Sequence, residues 1–316
     1  MIKKFLLAAY LIFTLSDLFG QSKFEDLPWI GFNWQSGEIN GRYFDKLAIT
    51  IPLKIDNIPQ SFEAQFDLGA DLTMLYENSM KPYFEKYSNL RDKKTDEEGF
   101  QWIENVKVIL DGIVFDNRKI LIRKNYGKVL TSDSIENNKI RQVGTIGADF
   151  FQDKILVLDY KNKRLCVIDS LNQFIEKEVR FISYRADEQG RVIIPFDING
   201  KEYDVLFDTG ASIFGFISTK KIWETICDTT IVTKLDSIRS WGEYLEFWDS
   251  PIKGSLTIKG TGIEIDNARL FFPNPTPENL EFFFSNSRIN GLTGNTFFLK
   301  KCLFIDFKNK KFGILK

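Results

Sequence analysis

The sequence predicts an all-β protein made of two homologous halves. Three observations carry this expectation. Short apolar runs bounded by turn residues recur along the chain, helical periodicity is scarce, and four sequence elements occur twice in the same order. The 30 phenylalanines, with many isoleucines and valines, are residues that fit pleated, half-buried surfaces.

Residues 1–20 read as a signal peptide. Lys3 and Lys4 precede an apolar run at 5–15 that is too short to span a bilayer, and cleavage is expected near residues 20–21. The chain is therefore expected to be exported, to the periplasm, the cell surface or the medium. No cysteine follows the run and no later stretch is long and apolar enough to cross a bilayer, so no membrane contact is expected beyond the signal. Residues 22–43 are either a strand that extends the fold or a short pro-segment. Strands are predicted at 49–55, 106–110, 119–122, 155–159, 192–198 and 303–307, and short helices at 79–87 and 219–226. Residues 87–98 are highly charged and expected to be exposed; 128–141 are polar and expected to be loop.

The repeat sets the domain organisation. "IPLKIDN" from Ile51 matches "IPFDING" from Ile194, and "FDLGAD" from Phe66 matches "FDTGAS" from Phe207. "IGADFF" from Ile146 then resembles "TGNTFF" from Thr293, and "LDYKNKR" from Leu158 matches "IDFKNKK" from Ile305. Four matches in register indicate a duplicated domain, with one half at 21–178 and the other at 179–316. In the last element the asparagine of Lys-Asn-Lys is expected to take a left-handed backbone.

Composition narrows the chemistry. Lys plus Arg is 42 and Asp plus Glu is 43, so no bulk field points to nucleic acid or to an anionic membrane. There is no histidine, which excludes Ser-His-Asp and Cys-His catalysis and every imidazole zinc site. No metal or other cofactor is expected. The three cysteines, Cys166, Cys227 and Cys302, show no metal-binding spacing and are expected to be isolated core thiols.

Carboxylates are left to do the chemistry. Asp67 and Asp208 each follow a predicted strand and precede a turn glycine, Gly69 or Gly210. A single Asp-x-Gly is an ordinary turn, as at Asp111–Gly112; a duplicated one within duplicated flanks is different. Pseudo-twofold symmetry would bring the two turns together, and two carboxylates about 3 Å apart cannot both ionise, so they share a proton. One then serves as base toward water and the other as acid.

"DLGADLTML" from Asp67 resembles an active-site segment of retropepsin-type aspartic proteases, and "DTGASIFGFIS" from Asp208 resembles the second active-site loop of the two-lobed, pepsin-like members. "GTIGADFF" and "NGLTGNTFF" are similar to the apolar-apolar-Gly element beside that loop. The resemblance covers nearly all of the chain after residue 20. It implies a bilobal fold of two β-barrel lobes with a cleft between them, a monomer, and hydrolysis of a peptide or protein substrate by Asp67 and Asp208. It further implies that Gly69, Ala70, Thr209, Gly210 and Ala211 support the loops, and that Asp71, Ser212, Phe100 and Trp102 contact substrate. The chain departs from the family at Leu68, where threonine or serine normally bonds across to the other lobe. That departure keeps a second reading open, a catalytically impaired protein that binds peptides. Two other enzyme classes fit less well. An actin-like ATPase needs glycine-rich phosphate loops and long crossover helices, and the chain has no Gly-Gly pair. A glycosidase needs paired acids in unlike environments, whereas these two loops are alike.

Overall fold

The computed structural model describes residues 24–136, 139–240 and 243–316. The expected signal peptide lies outside the described residues, as does Trp241. The structure is all-β in class: three sheets carry the chain, and the helices are short.

The first large sheet takes its strands from residues 33–146. Phe62–Phe66 runs between Arg42–Ile55, antiparallel, and Arg141–Ile146, parallel. Met74–Tyr76 lies antiparallel to Arg141–Ile146 and parallel to Ile113–Arg123, which pairs with the long strand Phe100–Leu110. That strand returns to Arg42–Ile55 through Lys54↔Ile109 and Ile55↔Val108, so six strands close into a ring and leave fewer open edges. The alternating burial of Phe62–Phe66, with Phe62, Ala64 and Phe66 inside, follows from a strand with one face on the core.

The second large sheet takes its strands from residues 185–293 and repeats the scheme. Lys201–Phe207 pairs with Val192–Ile198, antiparallel, and with Gly291–Thr293, parallel. Phe216–Ser218 lies antiparallel to Gly291–Thr293 and parallel to Arg269–Pro273. The ring is interrupted here. The counterpart of the long strand Phe100–Leu110 is split into Glu243–Pro251 and Leu256–Ile258. Pro251 lacks an amide proton and Gly254 has φ +78°, and together they break the strand between its two pairings. The expectation of two like barrels is met more loosely in this half.

A six-stranded antiparallel sheet joins the two. Ile155–Asp159 pairs with Cys302–Asp306 at its centre, from Ile155↔Asp306 to Asp159↔Cys302. Both strands are buried at every position, because the sheet is covered on both faces. Leu156 and Leu158 point into the main core, whereas Ile155 and Val157 join a smaller cluster with Cys166, Cys302 and Phe304. All three cysteines are buried and free, and burial pushes the Cys166 and Cys227 thiols up to about 12.

The helices Glu77–Lys86 and Lys220–Ile226 fall where periodicity places them, the latter capped by the Thr219 hydroxyl. Residues 87–98 are more ordered than their charge predicts: they form the short helix Ser88–Arg91 and the strand Lys94–Glu97, and Leu90 is fully buried. Of the expected loop at 128–141, the described residues are irregular apart from one turn of 3-10 helix at Ser132–Ile135 and Arg141, which already begins the strand Arg141–Ile146. Residues 33–39 are an edge strand, Asn33–Ile39, paired with Arg42–Ile55. The helix Glu278–Asn286 has no counterpart in the sequence reading, although Pro277 before two acidic first-turn residues is a local start signal. The Lys-Asn-Lys turns also work differently from expectation. Lys163 and Lys310 take the positive φ, at 51° and 52°. Asn162 and Asn309 instead hold the preceding strand ends, each donating backbone and side-chain bonds to Asp159 or Asp306.

Candidate active site

Each aspartate stands one residue past a strand, and its amide continues the parallel ladder. Asp67 N–H donates to Ile146 O at 3.0 Å, and Asp208 N–H donates to Thr293 O at 2.9 Å. Each loop then folds back on its own carboxylate. Asp67 Oδ1 accepts from the Gly69 and Ala70 amides at 3.0 and 3.2 Å. Asp208 Oδ1 accepts from the Gly210 and Ala211 amides at 2.8 and 3.2 Å. The two loops are the same local structure, built twice.

They meet face to face. A Cβ placed on Gly69 would lie 2.3 Å from Asp208 Cγ, and one placed on Gly210 would lie 2.4 Å from Asp67 Oδ2. Neither glycine is needed for a left-handed backbone; each is needed because the opposing carboxylate lies against its Cα. Each carboxyl thus lies in close approach to the opposing loop. Burial pushes Asp67 well above the usual carboxylate range, and the Asp208 charge and hydrogen bond add to the rise. Burial raises Asp208 as well, opposed by the hydrogen bond from Asp67, the two loop amides and the charge of Arg191. Both shifts favour the protonated form, as expected where two buried carboxyls lie close together.

The loops are tied across the halves by one hydroxyl. Thr209 Oγ1 accepts from Leu68 N–H at 2.9 Å and donates to Phe66 O at 3.1 Å, and Thr209 is fully buried. Leu68 cannot return the bond. Its side chain is fully buried in the main core, with Phe66 and Ile146 in the same cluster.

The remaining predicted residues divide. Ala70 is buried, and Ala211 packs against an apolar cluster with Phe214 and Ile39. Asp71 forms an ion pair with Arg191. Ser212 is buried, and its hydroxyl accepts from Asn295 Nδ2 at 2.8 Å, so it braces the second loop. Phe100 and Trp102 sit on the Lys94–Glu97/Phe100–Leu110 hairpin. Phe100 is 57% exposed beside the Glu98–Gly99 turn, and Trp102 lies under the Lys119 ammonium at 5.0 Å.

Three supports were not found from sequence. Asn295 donates to Thr209 O at 2.9 Å and accepts from Tyr160 OH at 2.6 Å. Asp149 Oδ1 accepts from Thr73 N–H and Oγ1 at 2.7 and 2.8 Å, locking the end of the first loop. Arg191, almost fully buried, donates from Nη1 to Gly69 O at 3.2 Å and from Nε to Asp187 Oδ2 at 2.6 Å. Asn295 and Asp149 lie inside the repeated "TGNTFF" and "IGADFF" elements and were within reach of a closer reading. Nothing local marks Arg191, which contacts a residue 122 positions away.

A pocket of about 480 Å³ opens next to the first loop, between Asp71 and Leu72 on one side and residues 186–190 on the other. No protein-family model and no curated protein matches the chain. Among the described residues no group of three or more acidic or thiol side chains is placed to hold a metal ion, and no helix is long and apolar enough to cross a membrane.

Proposed function

We propose that the chain is a two-lobed aspartic endopeptidase that hydrolyses peptide bonds with a water activated between Asp67 and Asp208. The observation that carries the reading is the reciprocal placement of the carboxylates. Each lies against the glycine of the other loop, and each is held by two backbone amides. A pair that shares one proton holds a base and an acid side by side. The base takes a proton from water as the water oxygen bonds to the peptide carbonyl carbon, and the acid protonates the carbonyl oxygen. In the second step the new acid protonates the amide nitrogen, the C–N bond breaks, and the other carboxylate recovers a proton from the gem-diol. The pair returns to its starting state without a metal. The cleft between the halves supplies the substrate site, with an unfolded peptide or protein segment as substrate. The N-terminal signal directs this activity outside the cytoplasm.

The test is incubation of the protein, from residue 21 onward, with a peptide library between pH 3 and 8, with and without a statine-type mimic of the gem-diol. Acid-favoured cleavage abolished by the mimic supports the reading. Leu68 favours a second reading, a peptide-binding protein of the same fold without turnover. Tight binding of the mimic with no cleavage at any pH would favour it.

A further inference from the structure

The two aspartates are alike in their loops but not in what stands behind them. The Arg191 guanidinium reaches the same glycine that Asp208 packs against. Asp208 packs on the Gly69 Cα while Arg191 Nη1 donates to the Gly69 carbonyl oxygen at 3.2 Å, so one peptide unit separates the cation from the carboxylate. The repeat provides the control. Arg191 stands four residues before Pro195, and the residue four before Pro52 is Ala48. Asp67 therefore has no cation from the equivalent position of the repeat.

Arg191 is held rigidly. Asp187 Oδ2 accepts from its Nε, Asp187 Oδ1 accepts from its backbone amide at 2.9 Å, and the Phe283 ring lies 4.9 Å from the guanidinium carbon. Asp71 completes the ion pair at the rim. Solvent and salt screen a fixed buried cation little, so what offsets it is chiefly its two carboxylate partners.

We infer that Arg191 is a positioning residue that keeps the negative charge on Asp208 and the shared proton on Asp67, so that Asp208 is the base toward water and Asp67 the acid toward the carbonyl oxygen. The assignment of roles rests on the proposed hydrolysis; the placement of the proton does not. The groups facing the pair are consistent with it. Two neutral groups lie near Asp67: Gln65 Nε2 donates to its Oδ2 at 3.3 Å, and Tyr76, pushed up to about 12 by burial, stays uncharged. Arg191 also faces the carboxylates of Asp71 and Asp187, which oppose its field, so its effect on Asp208 is that of the nearer charge.

The test reads the proton directly. In protein carrying 13C-labelled aspartate side chains, the carboxyl shifts of Asp67 and Asp208 are followed from pH 3 to 8, with Asp67→Asn and Asp208→Asn used for assignment. Asp208 is expected to ionise first, about one unit or more below Asp67. In the double variant Arg191→Met/Asp187→Asn, which removes the cation without leaving its buried partner unpaired, the Asp208 midpoint is expected to rise by about one unit, whereas Arg191→Lys keeps part of the effect. If the double variant does not fold, the order in the wild type decides alone. Asp67 ionising first, or an unmoved Asp208 midpoint in a folded double variant, overturns the inference. Where peptide turnover is detected, the acidic limb of kcat/KM moves up with the Asp208 midpoint. A protein that cleaves nothing but shows the expected carboxyl order refutes the hydrolase and leaves the proton assignment standing.

Discussion

The two aspartate loops reach one geometry by different forces. The second loop is held by directional bonds. Thr209 spans to Leu68 N–H and Phe66 O, and Asn295 grips Thr209 O and Ser212 with Tyr160 behind it. The first loop shares the Thr209 bonds and adds the Asp149 bonds to Thr73, but it relies as well on packing and charge, with Leu68 sunk in the core and Arg191 on Gly69 O. A fully buried leucine is worth about 1.5–3 kcal/mol, against about 1 kcal/mol net for the hydrogen bond its position gives up. Replacing a hydroxyl with an apolar side chain therefore need not loosen the loop. It does change what is restrained, since packing fixes position well and orientation less well. The repeat conserves the backbone amides that hold each carboxylate and lets the surrounding supports differ.

The largest expected effect tests whether the loops work as a pair. Asp67→Asn and Asp208→Asn should each lower kcat by roughly 100- to 10,000-fold with the circular dichroism spectrum unchanged, because one carboxylate cannot act as base and acid together. Turnover that survives in either variant places the chemistry elsewhere. The next effect separates the two supports. Thr209→Val keeps the shape but strands the Leu68 amide and the Phe66 carbonyl in the core, and should lower unfolding free energy by about 2–4 kcal/mol in urea titrations. A loss below about 0.5 kcal/mol would show that the bridging hydroxyl is not what joins the loops.

A smaller effect makes the loops more alike. Leu68→Thr should cost about 1–2 kcal/mol, the lost burial less the hydrogen bonds regained, and should raise kcat more than it changes KM, because better placement of Asp67 acts on the transition state. A fall in kcat would instead mean that the site is built around leucine. The smallest effect is on stability against pH. The folded Asp67 carboxyl is raised well above 3.8, so it binds its proton more tightly folded than unfolded. Its contribution is complete below about pH 3.8 and is lost as pH rises through the folded value. The melting temperature of wild type should therefore fall relative to that of Asp67→Asn between pH 4 and neutrality. Parallel curves for the two proteins would show that burial at Asp67 is weaker than the geometry implies.

The sequence by itself determined the all-β class, the repeated elements and the two aspartates with their glycines. Those signals are local: a strand shows its burial as alternation, and a duplicated motif shows itself by comparison with its copy. It also marked Leu68 as the odd residue, because Thr209 stands beside it in the repeat. Tertiary structure alone decided the rest. Ser212 looks like a free hydroxyl in the chain and is a buried acceptor in the fold, since burial depends on Asn295 from 83 positions away. Phe100 and Trp102 differ in surroundings that the chain does not show, one exposed and one under Lys119, because the pairing of Lys94–Glu97 with Phe100–Leu110 places them on a hairpin. Arg191 sits in a stretch, "ADEQGRV", that reads as a solvated turn. Its role appears only when the second half folds against the first and carries that guanidinium to the carbonyl of Gly69. Electrostatic partners chosen by folding leave no periodicity in the chain, and so the asymmetry of the pair could be seen only in three dimensions.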